Sequence, residues 1–145
     1  MLINAEIEIG RLETIEKNTD VKNVVLLIEE LPNVEQINYT HKDKVMSVLK
    51  SYRALPESLK FAVDITKLMD SVDKIEIIDA NILVKDINNL PSIENLSNNN
   101  KEKIESIRTR YNAISIRNNK RVTNLNILIT AEEKLKALES NIDNL

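Results

Sequence analysis

The chain has 145 residues, of which 42% are apolar and 30% charged, with a net charge of −3, no cysteine, one glycine and three prolines. These proportions are ordinary for a soluble folded protein, and so few turn residues exclude a sandwich or barrel. Basic residues are scattered among acidic ones and no run of about 18 apolar residues occurs, so we expect neither nucleic-acid binding nor membrane insertion.

Residues 21–78 and 80–138 are two copies of one pattern. Leu31-Pro32 returns 59 positions later as Leu90-Pro91, and one inserted residue in the second copy moves the later matches to a shift of 60. Internal similarity of this kind is typical of an array of structural units. The matched pairs include Val24 with Leu83, Ile28 with Ile87, Val45 with Ile104, Val48 with Ile107, Tyr52 with Tyr111, Leu68 with Leu128, and Ile75 with Leu135.

Residues 1–20 precede the first copy and read as the tail helix of a preceding repeat, or as an N-terminal extension. The stretch from residue 2 to 6 (LINAE) resembles that from residue 128 to 132 (LITAE). We therefore expect the chain to be a piece of a longer array. The alternative is a complete small protein with a decorated first helix.

Each copy predicts three helices. In the first copy, one helix ends at Leu31 because Pro32 lacks an N–H and disfavours helical geometry before it. Thr40 is the predicted N-cap of the middle helix, with Asp43 completing a capping box, and Pro56 suits the first turn of the third helix. Helical spacing gives the middle helix the apolar face Val45, Val48, Leu49, Tyr52 and Leu55, and the third helix the face Ile65, Leu68, Met69, Val72, Ile75 and Ile78.

No glycine or proline lies between Ile65 and Leu90, where the third helix of the first copy meets the first helix of the second. A continuous helix is favoured there, and the alternative is a short hinge near Asp79, a residue type that prefers caps. The predicted fold is all-α: two tandem three-helix-bundle repeats, at residues 21–78 and 79–145, joined by a shared long helix into an elongated, monomeric rod.

The second copy predicts the same plan with different caps. Its middle helix is expected to use Asn99 as the cap and Glu102 three residues later. Ser115 opens the third segment, and a kink is expected at 122–124, where the extra residue falls. The last helix is predicted from about Leu125 onward.

Polar candidates for a functional site are few, and no catalytic, cofactor-binding or metal-binding residue is assigned. His41 is the only histidine and is expected to be solvated, because one histidine makes neither a catalytic pair nor a metal set. Glu29-Glu30 and Glu132-Glu133 are adjacent in helices, where neighbouring side chains point about 100° apart, so solvated faces are expected.

Aromatic candidates are equally few. Tyr52 and Tyr111 occupy equivalent places in the two apolar faces, which favours the core over a binding site. Tyr39 has no aromatic counterpart in the second copy and is the weak candidate for a contact with a partner.

The repeat pattern itself carries a resemblance. It reads Leu90-Pro91, Ile93, Leu96, Lys103-Ile104, Ile107-Arg108, Tyr111, Ile114, Val122-Thr123-Asn124, Leu128, Ala131-Glu132 and Leu135. This pattern resembles the helical repeat modules of large secreted and surface-anchored proteins of Gram-positive bacteria, of clostridial type, found beside S-layer, adhesin and glycoside-hydrolase domains. The first copy departs from it at Val63-Asp64 and Ser71-Val72.

The resemblance implies a non-enzymatic accessory module at the cell surface or outside the cell. Such a module acts as a spacer, or binds another protein or a cell-surface glycan, and needs no cofactor. The alternative is a self-contained cytoplasmic helical adaptor or oligomeric scaffold, which an exposed apolar stripe would favour.

Overall fold

The computed structural model describes residues 19–143, and every regular element in this range is helical, which confirms the predicted all-α class. In chain order, the α-helices are α1 (19–29), α2 (Lys42–Arg53), α3 (Glu57–Lys60), α4 (Thr66–Asn88), α5 (Lys101–Ala113), α6 (Ile116–Asn119) and α7 (Leu125–Asp143). Short 3₁₀ turns lie at Val34–Gln36, Tyr39–His41, Ile93–Asn95 and Asn98–Asn100. The predicted tail helix at residues 1–20 lies almost wholly outside the described residues.

The chain divides into two compact units after Ile75, within one helical turn of the boundary predicted at residue 78. Both positions lie inside α4, which runs from Thr66 to Asn88 without interruption. Every residue of α4 from 71 to 80 is buried or half-buried. A helix that is covered on all sides at its middle needs apolar residues beyond one stripe, and Ile75, Ile77 and Ile78 supply them there.

The first unit closes around aliphatic side chains from α1, α2 and α4. Helical spacing turns the apolar residues of each helix to one face, and Pro32 ends α1 where the sequence predicts. The loop after α1 contributes Ile37, which is 2% exposed. The buried residues are Val24, Ile28, Leu31, Ile37, Val45, Val48, Leu49, Leu55, Val63, Leu68, Val72 and Ile75.

The second unit has the same order of elements and a core drawn from corresponding positions. Its buried residues are Ala80, Leu83, Ile87, Leu96, Ile104, Ile107, Ile114, Val122, Leu128, Ala131 and Leu135. We call a residue 59 positions later in the chain, or 60 positions later beyond Thr123, the counterpart of the first-unit residue. Most buried residues of the first unit have a buried counterpart, so one spacing pattern produces both cores.

The third helix expected from Pro56 onward is wrong, because the chain breaks it in two. Pro56 precedes the one-turn helix α3, and α4 starts only at Thr66. Between them Val63 turns inward and is 6% exposed, and the Thr66 N–H donates to Asp64 Oδ1 at 3.0 Å. Burying Val63 and capping α4 together favour the break. In the second unit the expected kink at 122–124 is confirmed, since α6 ends at Asn119 and α7 begins after it.

The predicted cap of the first middle helix is also wrong. Asn38, not Thr40, is the capping residue: its Oδ1 accepts from the Thr40 N–H at 2.9 Å, while the Asn38 N–H donates to His41 Nδ1 at 3.0 Å. This reciprocal pair closes the 3₁₀ turn that leads into α2. A turn placed before the helix moves the cap upstream, which the α-helical spacing of a capping box does not anticipate.

The second unit builds the same device from other residues. Ser97, not Asn99, is the capping residue: the Asn99 N–H donates to Ser97 Oγ at 3.3 Å, and the Ser97 N–H donates to Asn100 Oδ1 at 3.0 Å. Asn100 therefore does in the second unit what His41 does in the first. Glu102 takes no part in the capping box.

Candidate functional site

The tyrosines lie at the edges of the cores rather than inside them. Tyr52 and Tyr111 are both half-buried and pack against the core of their own unit. Each ring also lies near a cation, with Lys60 Nζ 6.0 Å from the centre of the Tyr52 ring and the Arg108 guanidinium 5.4 Å from that of Tyr111. The core assignment is thus correct only for one side of each ring.

Two other candidates occupy different environments. Tyr39 is 43% exposed, and Lys42 Nζ lies 5.3 Å from the centre of its ring. His41 is half-buried and holds the capping box, so the expectation of a merely solvated histidine is wrong. Sequence reasoning missed this role because a histidine is an unusual residue at such a position. The signal was present in the second copy, where Asn100 is the counterpart.

A buried carboxylate is the strongest polar feature of the second unit. Glu76 on α4 is 6% exposed, and its two oxygens accept from the Ser115 N–H at 2.6 Å, Ser115 Oγ at 2.8 Å and Asn118 Nδ2 at 3.1 Å. Asn118 is 1% exposed and its Oδ1 accepts from Arg121 Nε at 3.1 Å. Glu76 therefore ties the start of α6 to α4.

Sequence reasoning did not select this network. Glu76 lies in an otherwise apolar stretch of α4, where one acid at helical spacing resembles a solvated residue. The available signal was Asn118, which stands where the first copy has the apolar Leu59. A polar residue that replaces an apolar one at a core-facing position needs a hydrogen-bonding partner nearby.

An ion pair joins α5 to α7. Arg108 Nε donates to Glu132 Oε2 at 2.8 Å, and a second guanidinium nitrogen pairs with the other carboxylate oxygen. The hydrogen bond from Glu132 raises the pKa of Arg108 above its ordinary value. Both side chains are about 30% exposed. The expectation of a solvated Glu132 is therefore wrong, whereas Glu133 is exposed as expected.

The same two positions are apolar in the first unit. The counterparts of Arg108 and Glu132 are Leu49 and Val72, which are 6% and 5% exposed and belong to one core cluster. One copy thus fills this place between two helices with aliphatic side chains, and the other fills it with a bidentate ion pair.

A groove of about 470 Å³ lies beside this ion pair, between α5 and α7. Its floor includes Ile104 and Leu135, which are 1% and 6% exposed. Across its rim Lys101 Nζ pairs with Glu139 at 2.7 Å, and this contact raises the pKa of Lys101. The remaining residues that line the groove are Glu105, Arg108, Thr109, Glu132 and Lys136.

Lysines do the corresponding work in the first unit. Lys67 Nζ donates to the carbonyl oxygens of Leu31 at 2.6 Å and Glu29 at 3.1 Å, at the end of α1. Lys74 Nζ donates to the carbonyls of Val34 and Glu35, both at 2.9 Å. These contacts satisfy carbonyl groups that the end of a helix and a short turn leave unpaired.

Two searches of the described residues bear on the class of site. Within residues 19–143 no group of three or more histidine, cysteine, aspartate and glutamate side chains is arranged to hold a metal ion. In the same range, no helix combines the length and apolar composition needed to cross a membrane. No family model, curated protein or solved structure shows significant similarity to this chain.

Proposed function

We propose that this chain is a non-catalytic helical repeat module of a larger extracellular bacterial protein. In this role it separates neighbouring domains and offers a helical face to a protein or to a cell-surface glycan. The source and location follow from the resemblance of the repeat pattern, and the mechanical role from how the polar side chains are used.

The use of buried polar groups is the observation that carries the proposal. The buried polar side chains of the described chain are Ser71, Glu76 and Asn118, and each bonds to the protein itself. A catalytic site instead holds perturbed polar groups towards a cleft, where a substrate can reach them. Polar groups that connect helices hold a shape, which is what a spacer needs.

One observation favours the alternative, an intracellular adaptor or oligomeric scaffold. Phe61 and Ile116 are each 87% exposed, and each lies in the short segment between the two long helices that follow the first helix of its unit. Large apolar side chains in such a position are available to a partner. Both proposals make the chain a binding or structural part and differ in where it works.

Location is the property that separates the two. We would label intact and permeabilised cells of the source organism with an antibody raised against the purified chain, using an antibody to a cytosolic enzyme as the control. Labelling of intact cells is expected. Labelling that requires permeabilisation would overturn the extracellular assignment and favour the adaptor.

The binding role needs a second measurement. The purified chain would be applied to glycan and protein arrays, and hits would be retested with surface variants such as Tyr39→Ala. Specific binding identifies the face used, and a blank result leaves the spacing role alone. Turnover of any substrate that is lost on changing one polar residue would contradict the non-catalytic assignment.

A further inference from the structure

The contact between α6 and α4 has two open counterparts elsewhere in the chain. In the second unit, α6 is held on α4 through Glu76. By the repeat register the counterpart of α4 is α7, and α6 is itself the counterpart of α3. The chain therefore carries a second receiving helix, α7, and a second short helix, α3, that can be compared with the pair already joined.

The receiving surface of α7 is uncovered. On α4, Glu76 and Ala80 are 6% and 0% exposed. Their counterparts on α7, Lys136 and Ser140, are both exposed. Lys136 lines the groove between α5 and α7, whose floor is apolar. The face that is covered on α4 is thus an open groove on α7.

The short helix α3 is uncovered as well. Asn118 on α6 is 1% exposed, whereas its counterpart Leu59 is half-buried. Phe61, just after α3, is 87% exposed, and the side chain of Glu57, its first residue, is 89% exposed. The segment from Glu57 to Phe61 therefore presents a carboxylate and an apolar pair to solvent.

The charges of the two open surfaces match each other. On α4 the acid Glu76 accepts hydrogen bonds from Ser115 and Asn118. In the α3 segment the counterparts of those donors are Pro56, which has no N–H, and Leu59, so α3 cannot bind an acid in this way. It offers the carboxylate of Glu57 instead, and α7 offers the ammonium group of Lys136.

We propose that the α3 segment of one copy of this chain docks in the α5–α7 groove of a second copy. Leu59 and Phe61 cover the apolar floor, and Glu57 pairs with Lys136 at the rim. The interface joins two different surfaces, so it is heterologous and links copies head to tail. This inference rests on the repeat register and the burial pattern and is independent of the proposed function.

Sedimentation velocity over a wide range of concentrations tests the docking directly. The full chain is expected to associate as its concentration rises. Lys136→Glu or Glu57→Lys alone should weaken association about tenfold, since each brings like charges together, and the double variant should restore it. Lys103→Glu changes the same charge on α5 outside the groove and should have no effect.

Crosslinking identifies the surfaces, because the chain has no cysteine of its own. Single variants Glu57→Cys and Lys136→Cys, made with tags of different size, would be mixed and oxidised. Preferential formation of the mixed disulfide dimer supports the proposal. A monomer at every concentration, association unaffected by the charge reversals, or a statistical mixture of disulfide dimers would overturn it. Circular dichroism checks that each variant is folded.

Discussion

Single residues show how the two copies solve the same local problem with different chemistry. At the turn before each middle helix, a side chain must accept the N–H of the capping residue. His41 does this with an imidazole nitrogen and Asn100 with an amide oxygen, both at 3.0 Å. The second copy thus contains a natural test of what the position requires, namely one well-placed acceptor.

Replacing His41 tests this requirement. His41→Ala removes the acceptor and should lower the free energy of unfolding by about 1 kcal/mol, the usual cost of losing a cap. His41→Asn supplies the amide found in the second unit and should retain most of the stability. Urea denaturation of the two variants gives the comparison. Equal losses in both would show that the imidazole matters for another reason.

Asp64 makes the start of α4 sensitive to pH. The backbone hydrogen bond from Thr66, and then that from its side chain, lower the pKa of Asp64 below its ordinary value. A depressed pKa in the folded state gives stability that is present above the unfolded pKa of about 3.9 and lost as the pH falls through the folded pKa.

Asp64→Asn keeps a capping side chain and removes the titration. The melting temperature of the natural chain, minus that of this variant, should therefore decrease as the pH falls from about 6 to about 3. Asp70→Asn, at an exposed position further along α4, is the matched control. A difference that stays constant over this range would contradict the role of Asp64 as a charged cap.

Pairs of helices are joined by interchangeable contacts, as the positions between the middle and last helices of each unit show. Arg108 and Glu132 should couple strongly, because removing one leaves the other charge facing an apolar neighbourhood. We expect Arg108→Leu alone to cost about 1–2 kcal/mol, and Arg108→Leu with Glu132→Val to recover most of it, since Leu49 and Val72 fill these places in the first unit.

A double-mutant cycle by urea denaturation measures this coupling. The pair Lys101 and Glu139 is the control, because its side chains are nearly half exposed and its coupling should stay below about 1 kcal/mol. Equal coupling in the two cycles would show that burial beside the core adds nothing to the Arg108 pair.

The continuity of α4 is the other question at this scale, and Asn81 allows a clean test. This exposed residue lies just after the alternative hinge at Asp79. In an unbroken helix Asn81→Pro should cost about 3 kcal/mol or more, whereas Asn81→Ala should stabilise slightly. If the helix restarted near Asp79, proline would fall in a first turn and be tolerated. Thermal melts of both variants decide between the two.

For the whole molecule, the sequence predicted most of what depends on apolar spacing. The all-α class, the end of α1 at Pro32 and the break before α7 all follow from helical periodicity and proline. The separation of α3 from α4 and both capping boxes did not, because they depend on 3₁₀ turns and on one inward valine. The Glu76 network was missed because its partners lie some 40 residues away in sequence.

The elongated rod stays a prediction, and small-angle scattering at low protein concentration can test it. A compact chain of this length has a radius of gyration of about 15 Å. We expect a clearly larger value that does not change on further dilution, which separates an extended monomer from associated copies. A value near that of a compact chain would contradict the rod.

The exchange of Leu49 and Val72 for Arg108 and Glu132 also constrains how the two copies diverged. If they descend from one ancestral segment, two codons had to change at this place. Either change by itself strands a charge against an aliphatic wall, so the intermediate gene product would be less stable than both its ancestor and its descendant. The lineage therefore crossed a fitness valley, or drew on a stability reserve elsewhere in the fold, and other members of the array should carry both charges or neither.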